Sequence, residues 1–598
     1  MQNLVADFKS TLSSNRIVAL TVFAYSVLAL GHIPLEVLNT LFDKNQSVQF
    51  LATMAIAAVF GVVAIRKRDE LVIPRYLLGI ILVLLLSLIL SAVRSQNFFA
   101  SLTGDSMRYA GIASTCALMI VALFHGFFTQ EVFVKVAKGY LCVIAITEVL
   151  AVLQFFKMIS LPGLQGNPTS TFGNLDYYSA YIGTSFPLLA FVFLKSGSLG
   201  KRLIIALGVL SLVCLRLTDA KQGYVDVLIV ATASILYVTY VKFRREQDPD
   251  RERYSVGVRT TIYTFLLFIW LEIIFVVPFI GKSIPFVGDD PQVAIRGVLW
   301  MAGINQFNSE QLLGVGPDQY GSYYEKFRTV NSTIVLPSDS SNDAHSSTVQ
   351  TLATTGIVGT ILFLVLIASV IRALLIIAER DTSRKHTLFA LALYLFVYLT
   401  NSAISPIVLP HKYLFWAVCG YLIFEARRLD GISTLNVVSK KISVVVISAF
   451  TAIALFVGSG FLVGQINFAR WGEANKANSS AVINVKISPF IPCTVYFSRL
   501  VSFIAPSGND ALEKLSRDQV KLNPRCVEAQ TILAKIAYNR ADYKEMRKRV
   551  YILIDLVPAR REILDIATLY AFKANDEEMK VIVSKQLARM GVREIQIG

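Results

Sequence analysis

A chain of 598 residues that is 54% hydrophobic and only 16% charged, with a mean hydropathy of +0.57, is too apolar to be a water-soluble globular protein of this size. Its formal charge of +16 reads as basic retention signals and attraction to anionic headgroups. Nucleic-acid binding would need a basic, aromatic-interleaved soluble segment, and the sequence has none. The composition specifies an all-α polytopic membrane protein.

Windows of about 20 apolar residues, the length that crosses a hydrocarbon core of roughly 30 Å, recur through the first three quarters of the chain. They predict 13 transmembrane helices: 17–36, 49–65, 74–92, 109–127, 135–156, 177–195, 202–217, 222–241, 260–280, 354–378, 386–405, 411–426 and 442–464. The first follows Lys9 and Arg16 like a signal peptide, but Ala29-Leu30-Gly31 is a poor cleavage site, so it is expected to stay as a span. Cys116, Cys142, Cys214 and Cys419 fall in these spans as small buried hydrophobes. Glu148, Asp226 and Glu272 also fall inside predicted spans. Ionisable groups are costly there, so they would line a polar cleft or a transport path.

Between the ninth and tenth predicted spans lies a polar stretch from Gly281 to about residue 350. A loop of this length in a protein of spans and tight turns is where chemistry would be housed, which favours an enzyme over a plain channel. Its first part, Ala294 to Phe307, reads as an amphipathic helix with Arg296 one turn from Trp300. Lying at the membrane surface, that helix would offer Arg296 to phosphate. The second part, Leu312-Leu313-Gly314-Val315-Gly316-Pro317-Asp318, has glycines that permit a tight turn and close backbone approach to a ligand. The third, Asn342-Asp343-Ala344-His345-Ser346, runs into an apolar helix. A neutral His345 imidazole there would take a proton from a hydroxyl, oriented by Asp343. A plain helix cap by Asn342, Asp343 or Ser346 stands beside that reading.

After about Gly464 the composition turns mixed and polar, which divides the chain into a membrane domain at 1–465 and a soluble α-helical domain at 466–598. In the tail Asn523-Pro524 and Val557-Pro558 stand 34 residues apart, and at the same offset Ala537-Tyr538 matches Ala571-Phe572 and Asp542 matches Asp576. This period is similar to that of tetratricopeptide repeats, which dock a peptide or another protein; a domain that braces the membrane part fits as well. Cys493 and Cys526 lie in this tail and leave a disulfide open.

Basic clusters at Arg66-Lys67-Arg68, Lys195 with Lys201-Arg202, Lys242 to Arg245, Arg380 with Arg384-Lys385, and Arg427-Arg428 with Lys440-Lys441 alternate from one side of the spans to the other. The positive-inside pattern then puts the N-terminus in the cytoplasm, with the long loop and the tail on the outer face of the cytoplasmic membrane.

The order Arg296-x-x-x-Trp300, then Leu312 to Pro317, then Ala344-His345 followed by Leu352-x-x-x-Gly356-x-x-Gly359, resembles the O-antigen ligase and O-antigen polymerase superfamily. That superfamily includes bacterial protein O-oligosaccharyltransferases. The resemblance extends to Gly104 to Gly111 with Arg108, to Gly166 to Tyr178 with Thr171-Phe172-Gly173-Asn174, and to Thr218 to Gly223. It implies that Lys221 and Arg296 hold the diphosphate of a polyprenyl-linked oligosaccharide, and that His345 activates a glycan, lipid or protein acceptor. Arg328 and Arg108 are further candidate phosphate-binding cations. Lys221 stands where arginine is usual and keeps the charge without bidentate recognition; Ser346 stands where asparagine is common.

Fixed cations stabilise the charge that develops on a departing diphosphate without a metal or cofactor, and direct displacement would invert the anomeric carbon. Asp289-Asp290, the one adjacent acidic pair of the long loop, is the competing metal site. A transporter or flippase of lipid-linked sugars, built on Glu148, Asp226 and Glu272, is the reading from a different class.

Overall fold

The structure is a computed structural model; it describes residues 2–30, 45–67, 73–95, 97–105, 108–159, 168–247, 291–329, 332, 341–430, 438–476, 487–490, 493, 497, 501 and 508–590. The predicted span at 260–280 with Glu272, and the Asp289-Asp290 pair, lie outside these residues. In chain order the helices are α1 (Gln2–Leu30), α2 (Asn45–Arg66), α3 (Arg75–Arg94), α4 (Phe98–Thr103), α5 (Ile112–His125), α6 (Gln130–Phe155), α7 (Leu175–Leu194), α8 (Ser198–Thr218) and α9 (Lys221–Gln247). There follow α10 (Pro291–Ser309), α11 (Tyr320–Phe327), α12 (Ser347–Arg380), α13 (Lys385–Ile404), α14 (Leu409–Leu429) and α15 (Lys440–Lys476). Five more close the chain: α16 (Asn509–Leu522), α17 (Val527–Asn539), α18 (Tyr543–Leu556), α19 (Arg561–Lys573) and α20 (Glu577–Arg589).

Nine of the described helices are long and apolar enough to cross a membrane, and each corresponds to a predicted span. Two other expectations have shorter apolar cores, Ser14–Leu30 within α1 and Ile112–His125 as α5. The prediction at 411–426 is met by α14, whose residues from Leu409 to Ala426 are nearly all buried. A helix walled by protein needs no lipid-compatible face, which is why α14 is less apolar than its neighbours.

The chain packs as two compact units, residues 1–82, 114–274 and 363–455 in one, and 83–113, 275–362 and 456–598 in the other. The first is a helical membrane unit. Its interior carries the buried aromatics Tyr25, Tyr140, Tyr181 and Tyr413. Their hydroxyls are satisfied in place: Tyr25 bonds Tyr181, and Tyr140 lies 2.7 Å from Nε2 of His125. Helix α7 starts on Asn174, whose Oδ1 accepts the N–H groups of Asp176 and Tyr177, so the Thr171 to Asn174 motif ends as a helix cap. Of the four cysteines expected in buried positions, Cys116, Cys214 and Cys419 are buried, but Cys142 is exposed. It sits on an outward face of α6, where a small apolar side chain is equally acceptable.

In the second unit the tail groups with residues 83–113 and 275–362. Helices α16 to α20 are joined by connections of three or four residues, so each turns back on its predecessor. Helices α17 and α19 begin 34 residues apart, at Val527 and Arg561, as do α18 and α20 at Tyr543 and Glu577. The repeat has a local cause: Asp542 accepts the Glu545 N–H and Asp576 accepts the Met579 N–H, so the same cap starts both second helices. Small Ala537, Ala567 and Ala571 let the helices close on Met546, Leu553, Tyr570 and Met579.

The tail then grips α11. Arg560 pairs with Glu325, Lys326 Nζ lies 2.7 Å from Asp555, and the Arg525 guanidinium sits 3.7 Å above the Tyr323 ring. Cys493 and Cys526 form a disulfide that ties the segment before α16 to the start of α17.

Candidate active site

The second unit contains five of the expected site residues, Arg108, Arg296, Arg328, Asp343 and His345. Helix α10 buries Leu299 and Trp300 against Tyr320, Tyr324, Ala344, Val349 and Ala353. The surface-lying helix expected at 294–307 thus has a protein partner for its apolar side, and Trp300 belongs to a core rather than to lipid. Arg296, one turn earlier, is half-buried on the same helix. The Tyr320 hydroxyl donates to the Leu299 carbonyl at 2.7 Å. Burial, with Tyr324 and Asp343 adding to it, raises its pKa well above the ordinary tyrosine value, so it remains a donor.

The glycines of Leu312 to Gly316 make their close approach to the chain's own helix, where the sequence suggested a ligand. Helix α12 breaks at Gly356, which has φ +64° and ψ −167°. The break frees carbonyls that a continuous helix would satisfy. The Val315 N–H donates to Ala353 O at 2.9 Å and the Gly316 N–H to Thr354 O at 3.1 Å, while the Ile357 N–H donates back to Gln311 O at 2.9 Å. A Cβ on Gly314 would stand 2.4 Å from the Thr354 carbonyl carbon, and one on Gly356 would stand 2.4 Å from Leu312. Two separate glycine motifs are therefore two halves of one backbone latch.

That latch holds the start of α12, where His345 sits. Ser346 Oγ accepts the Val349 N–H and Gln350 Oε1 accepts the Ala344 N–H at 3.0 Å, so the helix-cap reading of Ser346 holds. His345 itself is half-buried with φ +51°, a left-handed conformation that a non-glycine residue adopts only when its surroundings enforce it. The enforcing group is Asp343: its Oδ1 accepts the His345 backbone N–H, and its Oδ2 lies 2.7 Å from Nη1 of Arg108. Both side chains of this ion pair are under 10% exposed, at 8% and 9%. Asp343, read from sequence as the group orienting the imidazole, here holds the histidine's main chain and Arg108.

Arg328, the other candidate phosphate cation, donates from Nη2 to the Ala559 carbonyl at 3.4 Å and so faces the tail. Asp318, Asp105 and Asn342, to which the sequence gave no part in the chemistry, complete the surroundings. Asp318 Oδ2 accepts the N–H groups of Asp105 at 2.8 Å and Ala110 at 2.9 Å, and Asn342 Nδ2 donates to Asp105 Oδ1 at 3.1 Å. The Gly-Pro-Asp order at 316–318 was the available signal, since Asp after Gly-Pro commonly serves a turn; its partner loop lay too far away in sequence to be guessed.

Lys221 belongs to the first unit. It opens α9 and is exposed, two residues after the left-handed Asp219 (φ +52°) that ends α8. Ser179 fixes this junction, donating to Ala220 O at 3.3 Å and accepting the Gly223 N–H at 2.8 Å. Further along α9, Asp226 accepts from Asn401 Nδ2 at 2.6 Å, and Ser405 donates to Gln222 Oε1 at 2.7 Å. Glu148 accepts from Ser211 at 2.6 Å. Among the described residues, Glu148 and Asp226 are thus each held by a polar side chain of a neighbouring helix. Among the described residues, Cys493, Cys526 and Glu528 are the one group with the donors and spacing of a metal site, and the two sulfurs there are bonded to each other.

Residues 178–364 match the family model described as O-antigen ligase. A comparison with curated proteins found no match. The matched stretch runs from α7 into α12 and carries Lys221, Arg296, Asp343 and His345. The chain is a multi-pass, all-α membrane protein whose residues 178–364 are similar to the O-antigen ligase family.

Proposed function

We propose that this protein transfers a glycan from a polyprenyl diphosphate carrier to an acceptor hydroxyl at the outer face of the cytoplasmic membrane, as a ligase or polymerase of surface polysaccharide. The observation that carries this reading is the family match, which contains the three residues needed for the chemistry.

In the proposed reaction His345 removes the acceptor hydroxyl proton as the oxygen bonds to the anomeric carbon. The bond from that carbon to the diphosphate oxygen breaks, and its electron pair leaves with the diphosphate. Arg296 and Lys221 stabilise the negative charge on the leaving group. The proton passes from the imidazolium to solvent, and the configuration inverts because a single displacement has occurred. No step requires a metal or a covalent enzyme intermediate. The alternation of basic loops supports an outer site, and so does the disulfide in the tail, since such bonds persist in oxidising compartments.

The test supplies purified protein with polyprenyl diphosphate-linked oligosaccharide and, separately, lipid, glycan and protein acceptors. His345→Ala should abolish transfer while carrier binding persists; Arg296→Ala and Lys221→Ala should weaken carrier binding. Transfer that survives in His345→Ala removes the proposed base. Carrier crossing vesicles with no acceptor modified would favour a transporter.

A further inference from the structure

We propose that Asp318 is a positioning residue for His345, acting through the loop from Gly104 to Gly111; this rests on the reading of His345 as the base. Among the loop's described residues, Asp105 and Ala110, one near each end, both donate a backbone N–H to the Asp318 Oδ2. Asp318 is 6% exposed and itself has φ +56°, so both its backbone and its charge are held in place by their surroundings. Gly104, at φ +91°, makes room for it, because a Cβ there would lie 2.4 Å from the same Oδ2.

The loop in turn reaches the His345 turn by two contacts on different residues. Arg108 pairs with Asp343 at 2.7 Å, and Asp105 receives Asn342 at 3.1 Å. Asp343 then holds the His345 N–H. A carboxylate in the Gly-Pro-Asp turn thus determines where the loop presents Arg108, and Arg108 with Asp105 determines where residues 342–345 hold the imidazole. Asp318 touches neither donor nor acceptor in this scheme, so its loss should misplace the base without altering diphosphate binding.

The experiment measures kcat, KM for the polyprenyl diphosphate-linked donor, and thermal unfolding for Asp318→Ala, Asp318→Asn, His345→Ala and Glu310→Ala. Glu310 pairs with Arg94 on an exposed part of the same unit and serves as the control. Asp318→Ala is expected to lower kcat by about 10- to 100-fold, the range typical of removing an outer partner, with KM changed by no more than about twofold. Asp318→Asn keeps one oxygen for the two N–H groups and should recover most of kcat; Glu310→Ala should match the wild type. The proposal is overturned if both Asp318 variants fold with wild-type kcat, or if Asp318→Asn folds with its loss confined to KM. If Asp318→Ala fails to fold, Asp318→Asn decides alone, with a partial fall in kcat expected and none overturning the proposal. Full activity in His345→Ala would instead sink the reading of the base.

Discussion

Arg108 and Asp343 form a 2.7 Å ion pair buried on both sides, and the same carboxylate holds the backbone of His345. A buried pair contributes little relative to apolar packing, but removing one partner strands a charge and costs about 3–5 kcal/mol. Arg108→Ala should therefore lower the unfolding temperature and nearly abolish transfer. Arg108→Ala/Asp343→Ala should be less destabilised than the sum of the single variants, by at least about 1 kcal/mol in a double-mutant cycle. Additive effects would mean that the pair is not coupled.

The latch between residues 311–316 and the break in α12 depends on Gly314 and Gly356. Each has a left-handed φ, +68° and +64°, with no room for a Cβ. Gly314→Ala and Gly356→Ala should each destabilise by more than about 2 kcal/mol, combining left-handed strain with the clash. Gly79→Ala, on α3 with nothing within 4 Å of the added carbon, should stabilise by about 0.5–1 kcal/mol. Thermal unfolding in detergent or nanodiscs compares the three.

The Cys493–Cys526 disulfide closes a stretch with a sequence separation of 33. Cys526→Ser, or reduction of the native protein, should destabilise by about 2–4 kcal/mol. Peptide mapping without reduction should recover the linked pair from membrane-purified protein. Alkylation of both cysteines before any reductant is added would show the pair unformed and remove its support for an outer tail.

Glu528 lies beside the disulfide, with a carboxylate oxygen 3.6 Å from the Cys493 sulfur. Burial raises its pKa above the ordinary 4.5, against the opposing pull of Arg560. Folding therefore favours the protonated acid: the favourable contribution is complete below pH 4.5 and is lost as pH rises through the higher folded pKa. Glu528→Gln should leave stability near pH 4 almost unchanged and increase it at pH 7. Stability profiles parallel across that range would contradict this.

Lys326 and Glu325 of α11 are held by Asp555 and Arg560 of the tail. Exposed pairs of this kind contribute about 0–1 kcal/mol, and the half-buried Arg560–Glu325 pair should exceed that. Arg560→Glu should loosen α11, read as faster amide exchange at Tyr320 to Phe327. Arg560→Glu combined with Glu325→Arg should restore protection.

Membrane class and most spans were determined by the sequence itself, because lipid imposes a length and an apolarity on every crossing helix and both are local properties. The 34-residue period of the tail was legible for the same reason, since Asp542 and Asp576 cap helices by bonds that stay within three residues. The order of motifs marked Arg296, Asp343 and His345 as candidates. It left open what each touches. The helix of Arg296 and Trp300 reads from sequence as surface-lying, and Trp300 lies in a core; Asp343 also holds Arg108 and a backbone N–H; the glycines of Leu312 to Gly316 read toward a ligand and pack on the break at Gly356. Those relationships join segments far apart in sequence. Hydrogen bonds and buried ion pairs are satisfied by whatever partner the fold brings near, so only the tertiary structure decided which distant partner each of these polar residues holds.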